Sequence, residues 1–255
     1  MVFSENNWKI AGIIPARYAS TRFPGKPLAL INGISMIERV YRQVSACNEI
    51  NTVAVATDDQ RIFDHVLGFG GRVVMTSDQH RSGTDRIGET LRILSDQGET
   101  FDIAVNIQGD EPFIQPEQIS RVISLFANPE TKIATLIKRI ESTDNLFNPN
   151  VVKVVTDIHG QALLFSRSPI PYLRGPEREQ WISNYHFYKH IGIYAYRTAT
   201  LQQLVLLEPA PPEEAESLEQ LRWLWNGFRI YTEVTEFETI GVDTPEDLLK
   251  LTNNS

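Results

Sequence analysis

The sequence predicts an α/β protein: a mainly parallel twisted sheet with helices on both faces and a smaller, partly antiparallel lobe. Three observations predict it. Strand-sized apolar runs alternate with helical patterns four times in succession through the first half of the chain. Helix starts carry capping chemistry. Beyond Phe126 the alternation stops, and short strands follow without crossover helices between them.

The elements follow in order. Ile10 to Pro15 predicts a buried strand, and Met36 to Val44 the helix after it, with Ser35-Met36-Ile37-Glu38 fitting a capping box. Thr52 to Thr57 then pairs with a helix over Arg61 to Leu67, Arg72 to Thr76 with Asp85 to Leu94, and Asp102 to Gln108 with Pro116 to Phe126. Strands are next expected at Lys132 to Lys138, Val151 to Val155, Ala162 to Phe165 and Ile191 to Tyr196. They are interrupted by the turn-rich Asn148-Pro149-Asn150 and the polar stretch Arg174 to Asn184. A helix over Ala215 to Trp225, set off by the turn Pro209-Ala210-Pro211-Pro212, leads to a strand over Arg229 to Val234. A last helix over Pro245 to Thr252 starts with Thr244 as N-cap, Pro245 at N1 and early acids.

Composition narrows the function. The chain has 255 residues, 42% hydrophobic and 22% charged, enough for one large core or two modest ones. No apolar run approaches a membrane span and the start lacks a signal-peptide pattern, so a cytoplasmic protein without a membrane partner is expected. A single cysteine, Cys47, excludes an internal disulfide and argues against a thiolate zinc cluster. A formal charge of −8 argues against a nucleic-acid surface.

Local charge is more telling. Asn6 to Ile37 holds no carboxylate, where about four would be expected from 32 in the whole chain. Within that gap Arg17, Arg22 and Lys26 follow the first strand, with Ser20, Thr21 and Gly25 offering hydroxyls and an approachable backbone N–H. In an open parallel sheet the first βα loop is the usual phosphate site. A solvated basic loop is the plainer account, but position and the missing acids favour a small anionic ligand. The loop is not a Walker A motif, because Gly25-Lys26 is followed by Pro27. Gly68-Phe69-Gly70-Gly71 precedes a strand and so makes no dinucleotide fingerprint.

Two acidic signals complement it. The strand ending Gln108-Gly109-Asp110-Glu111-Pro112 sets Asp110 at its C-terminal tip, suited to a hard cation such as Mg²⁺, although the same residues also spell a turn. Asp243, in Gly241-Val242-Asp243-Thr244-Pro245, precedes a capped helix and could equally serve that cap.

Taken together, Pro15-Ala16-Arg17, Ser20-Thr21-Arg22, Pro24-Gly25-Lys26-Pro27, Ala56-Thr57-Asp58, Ser82-Gly83-Thr84-Asp85-Arg86, Gln108-Gly109-Asp110-Glu111-Pro112, Phe147-Asn148-Pro149-Asn150, Phe165-Ser166-Arg167, His190-Ile191-Gly192-Ile193-Tyr194, Leu218-Glu219-Gln220-Leu221-Arg222 and Gly241-Val242-Asp243-Thr244-Pro245 resemble the 3-deoxy-manno-octulosonate (Kdo) cytidylyltransferase, or CMP-Kdo synthetase, family. The matches run in order from about Ile10 to Leu251. Met1 to Trp8 falls outside the pattern, and Leu173 to Tyr188 matches no motif.

The resemblance implies a three-layer nucleotide-diphospho-sugar transferase fold. It implies one nucleotidyltransferase domain over 1–255, in which 130–200 forms a smaller substrate and dimerisation lobe, and a homodimer. It further implies transfer of CMP from CTP to Kdo for lipopolysaccharide synthesis, with Mg²⁺ as cofactor. Carried over by motif, Arg17, Ser20, Arg22 and Lys26 hold the triphosphate, and Ser82, Gly83, Thr84 and Arg86 border the cytidine. Asp110 and Asp243 bind the metal, and with Arg17 and Lys26 form the catalytic set. Gln108, Arg167, His190, Tyr194, Glu219 and Gln220 surround the sugar acid, Arg167 meeting its carboxylate.

The residue types suit those tasks, because two anionic reactants need fixed positive charge and a bridging cation to approach. Blander roles stay open: His190 and Tyr194 could be packed strand residues, and Glu219 and Gln220 a helix's solvent face. His65, His80, His159 and His186 read as surface or structural. The rival functions are a cytidylyltransferase for another sugar acid, such as 8-amino-Kdo or a sialic acid, and a nucleotide-binding regulator without turnover.

Overall fold

The first apolar run folds as strand β1 (Ile10–Ala16), almost wholly buried, as an unbroken apolar spelling requires of a central parallel strand. The computed structural model describes residues 8–19, 23–80, 82–238, 241–242 and 244–248. The chain divides into two compact units, one of Met1–Ser120, Ala195–Val205 and Thr239–Ser255, the other of Arg121–Tyr194 and Leu206–Glu238.

In the first unit β1 is followed by a small hairpin, β2 (Leu30–Ile31) and β3 (Ile34–Ser35), then α1 (Met36–Ser45), β4 (Thr52–Thr57), α2 (Gln60–Gly68), β5 (Val73–Met75), α3 (Gly83–Asp96) and β6 (Ile103–Asn106). The four main strands are parallel in the order β6-β1-β4-β5. The winding therefore reverses between β1 and β6, and a crevice forms outside the carboxyl ends of strands at such a switch point. Helix α1 buries Met36, Ile37, Val40 and Val44, and α3 buries Ile87, Leu91 and Leu94, each along one apolar stripe.

Capping holds with one difference. Ser35 accepts from the Glu38 amide at 3.3 Å, but the Glu38 carboxylate pairs with Arg42 one turn on. The reciprocal box forms instead at Ser82 and Asp85 (3.1 and 3.2 Å) and at Thr244 and Asp247 (3.3 and 3.1 Å). Residues 245–248 are helical, and the remainder of the expected last helix lies outside the described residues.

Helix α4 (Pro116–Ser124) carries the chain into the second unit. There follow β7 (Ile133–Arg139), α5 (Thr143–Phe147), β8 (Lys153–Thr156), β9 (Ala162–Ser166), α6 (Trp181–Asn184) and β10 (Tyr188–Arg197). The chain re-enters the first unit as α7 (Thr198–Leu204). It returns with α8 (Pro211–Glu216), α9 (Gln220–Trp225) and β11 (Ile230–Val234). Strand β11 runs parallel to β7, while β8 is antiparallel to both β10 and β9, the expected mixed character. The polar stretch without a motif has its own anchor. Trp181 is buried with Ile140, Leu146 and Phe187, its ring stacked on Phe187 at 5.9 Å.

One expectation is corrected. The helix foreseen over Ala215 to Trp225 is two helices, because Ser217 adopts a left-handed conformation (φ 51°) and ends α8. Helix α8 also starts within the expected turn, at Pro211, where a proline has no N–H to leave unpaired. No helix among the described residues is long and apolar enough to cross a membrane.

Candidate active site

The crevice between β1 and β6 receives the loop after each strand. From the β1 side, Arg17 donates through Nη2 to the His80 carbonyl at 2.6 Å. Gly25 turns the chain with φ 73°, its N–H donating to the Tyr18 carbonyl at 2.9 Å, so this amide closes the loop and is not the open donor expected of it. That turn presents Lys26, whose Nζ reaches Asp110 Oδ2 at 2.6 Å across 84 positions of sequence. A candidate phosphate-binding cation and a candidate metal ligand thus meet. Ser20 and Arg22 lie outside the described residues.

From the β6 side the strand ends at Asn106, earlier than expected, and Gln108 and Asp110 sit in the turn beyond it. A Cβ at Gly109 would come within 2.8 Å of the Pro15 carbonyl, so only glycine lets this turn pass so close to β1. Glu111, next along, is nearly buried, and burial reinforced by the Asp110 charge pushes its carboxyl up to about 8. Its Oε2 has no hydrogen-bond partner among the described residues. The Asp110 carbonyl accepts from the Val242 amide at 3.0 Å, which ties the chain just before position 243 to this turn. Asp243 itself lies outside the described residues.

These residues fit a hard divalent cation. Asp110 offers a hard oxygen ligand, and the buried Glu111 beside it, its carboxyl pushed up to about 8 and its Oε2 without a partner among the described residues, would ionise more readily with a cation nearby. Among the described residues no group of three or more His, Cys, Asp or Glu could hold a metal by itself. One or two carboxylates completed by substrate phosphates and water is the manner in which Mg²⁺ is usually bound.

At the start of α3, Ser82 is the N-cap, Gly83 the first helical residue, and Thr84 is buried. Arg86 is fully buried and its guanidinium is committed within the protein, to Asp58 at 2.8 Å and to Thr76 Oγ1 at 2.5 Å. Any part it plays toward a nucleotide passes through those neighbours.

The other residues expected around a sugar acid belong to the second unit. Arg167 donates to the carbonyls of Glu216 (2.6 Å), Pro149 (3.1 Å) and Ser217 (3.4 Å). The Glu216 carboxylate in turn accepts from Ser166 Oγ and the Arg167 amide, both at 2.6 Å. Buried Lys153, its ammonium made less basic by burial, donates to the carbonyls of Asn148 and Val151. His190 lies against Phe165 and Tyr194 with Nε2 at 3.1 Å from Thr135 Oγ1, and burial pushes its pKa down to about 4. Tyr194 and Gln220 are buried, and Glu219 immediately precedes α9.

Sequence reasoning gave no role to Glu111, Lys153 or Glu216, and read His80 as surface or structural. Glu111 stood in the quoted motif, but nothing in its spelling separated a half-buried Asp from a buried Glu. His80 and Glu216 are placed by contacts between distant segments, whereas Lys153 is buried against carbonyls only two and five residues away.

A cytidylyltransferase family model matches residues 11–234. The 3-deoxy-manno-octulosonate cytidylyltransferase of Cytophaga hutchinsonii is 55% identical over 252 residues, covering 98% of this chain and 99% of that protein. Its counterpart in Parabacteroides distasonis is 56% identical, covering 95% and 96%. A solved structure of CMP:2-keto-3-deoxy-manno-octonic acid synthetase complexed with CTP is 42% identical, covers 96% of this chain and 98% of that one, and superposes with a TM-score of 0.88. With such identity over nearly its full length, the chain belongs to the 3-deoxy-manno-octulosonate cytidylyltransferase family.

Proposed function

We propose that this chain activates Kdo with CTP, giving CMP-Kdo and pyrophosphate for lipopolysaccharide synthesis in the cytoplasm. The observation that carries the reading is the meeting of Lys26 and Asp110 at 2.6 Å at the switch point of a sheet whose solved relative binds CTP. The anomeric hydroxyl oxygen of Kdo attacks the α-phosphorus. A P–O bond to it forms as the bond to the β-phosphate breaks, and the hydroxyl proton is lost to solvent.

Arg17 and Lys26 bind the triphosphate and offset its repulsion with the incoming anion through charge-assisted hydrogen bonds. Asp110, with Asp243, would hold Mg²⁺, and Lys26 would move from Asp110 to phosphate as the nucleotide binds. When bound, Mg²⁺ neutralises phosphate charge and helps ionise the attacking hydroxyl. Ser20 and Arg22 extend the phosphate site. Ser82, Gly83 and Thr84 border the cytidine, with Arg86 beneath them. Gln108, Arg167, His190, Tyr194, Glu219 and Gln220 orient the sugar acid, and 130–200 serves as substrate and dimerisation lobe within one nucleotidyltransferase domain.

Pyrophosphate release from CTP, UTP, ATP and GTP, each with Kdo, 8-amino-Kdo or sialic acid and with or without Mg²⁺, tests the reading. CTP with Kdo and Mg²⁺ should turn over fastest. Lys26→Ala should lower kcat/KM about a hundredfold or more, the magnitude of losing a charged donor in a preorganised site. Faster turnover of 8-amino-Kdo would reassign the substrate, and nucleotide binding without pyrophosphate release would make the protein a regulator.

A further inference from the structure

We propose that His80 and Glu89 form a positioning pair for Arg17, through which helix α3 sets the aim of that guanidinium at the nucleotide phosphates. The inference rests on the phosphate role of Arg17 given above. An arginine side chain carries about 2 kcal/mol of rotamer entropy, so a partner that holds it before the ligand arrives improves binding. That partner is the His80 carbonyl, 2.6 Å from Arg17 Nη2.

His80 lies in the connection between β5 and α3, where no strand ladder fixes the backbone. The two ends of the connection are pinned. The Thr76 amide donates to the Thr57 carbonyl at 2.8 Å, and Ser82 caps α3. Its middle is tied to α3 through one carboxylate. Glu89, two turns into α3, accepts from the Ser77 amide at 2.7 Å, and the same oxygen lies 2.5 Å from His80 Nε2. The other carboxylate oxygen is 3.7 Å from Arg92.

Both side chains of the pair are about one-fifth exposed, 21% for His80 and 18% for Glu89. The contact is thus partly shielded from water, where a charge-assisted hydrogen bond is stronger than at an open surface. Apart from Arg17 itself, the other side-chain contact to this backbone is local, the Ser77 hydroxyl accepting from the Gln79 amide at 3.1 Å. Without Glu89 nothing from α3 ties Ser77 or the His80 ring in place, and the carbonyl that restrains Arg17 is held less firmly. Neither His80 nor Glu89 touches substrate in this proposal; they act through Arg17.

Kinetics of pyrophosphate release for Glu89→Ala and His80→Ala in the full-length enzyme, each made in the wild-type and Arg17→Ala backgrounds, tests this. In the wild-type background each variant should raise KM for CTP about tenfold, as expected for loss of one hydrogen bond to a charged group, with kcat within about twofold. KM for Kdo and the melting temperature should not change, and Glu89→Gln, which keeps an acceptor, should retain most of the CTP affinity. In the Arg17→Ala background neither variant should cause further loss, since the pair then has nothing to position. Equal losses in both backgrounds, or losses that follow a fall in melting temperature, would overturn the proposal. Either variant suffices if the other fails to fold. Wild-type kinetics for Arg17→Ala would refute the phosphate role of Arg17, and the pair's function with it.

Discussion

His190 shows how a single side chain's setting becomes measurable. Packed against Phe165 and Tyr194, its imidazole has a pKa of about 4, below the value of about 6.5 for an exposed histidine. As pH falls, the unfolded chain takes up the proton first. The stability this neutral histidine contributes is complete above about pH 6.5 and is lost as pH falls toward 4, the loss reaching roughly 2.5 kcal/mol at pH 4.5. His190→Gln should flatten that part of the profile, measured as the difference in urea-unfolding free energy between pH 7 and 4.5. An unchanged difference would show that the imidazole is hydrated. Of the other candidate residues, Arg17, Lys26 and Asp110 could be singled out from residue type and position, as two cations and a carboxylate following β1 and β6. Arg86 was legible only as a charge near a helix start. Its burial against Asp58 and Thr76 depends on β4 and β5 lying beside α3, which no local spelling records.

Helices and strands with strong periodicity were readable to within a residue or two: β4 agrees with the expected Thr52 to Thr57, and α1 exceeds its expectation by one residue. Shorter elements escaped. α5, α6 and the hairpin of β2 and β3 are too short to show a period, and tertiary contacts hold them. The break between α8 and α9 escaped for a different reason. Ser217 is a tolerable helix residue, and its left-handed conformation (φ 51°) is imposed by the turn. Such a conformation strains any side chain with a Cβ, so Ser217→Gly should stabilise the fold by about 0.5–1 kcal/mol, read as a raised urea midpoint at constant m. A loss of stability would mean that the serine hydroxyl contributes more than the strain costs.

For the assembled molecule, the second unit exposes several apolar side chains, among them Leu163 (61%) and Tyr172 (76%). Scattered exposed apolar residues are normal and do not by themselves mark an interface, so the proposed homodimer is a matter for a mass measurement. Light scattering at micromolar concentration should give twice the chain mass of 29.0 kDa. A mass of one chain would remove the dimer from the proposal and leave the chemistry of the first unit intact.

The order of the longer elements, the parallel character of the first sheet and the presence of cations and acids in the loops after its strands were written in periodicity and residue type. Helix hydrogen bonds close within four residues and a buried face repeats with a fixed period along each element, so these marks survive in one dimension. The pairing of Lys26 with Asp110, the seating of Arg17 on the His80 carbonyl and the burial of Glu111 and Arg86 were not written there. Each joins residues from separate βα units, and such contacts exist only once the strands have taken their order in the sheet.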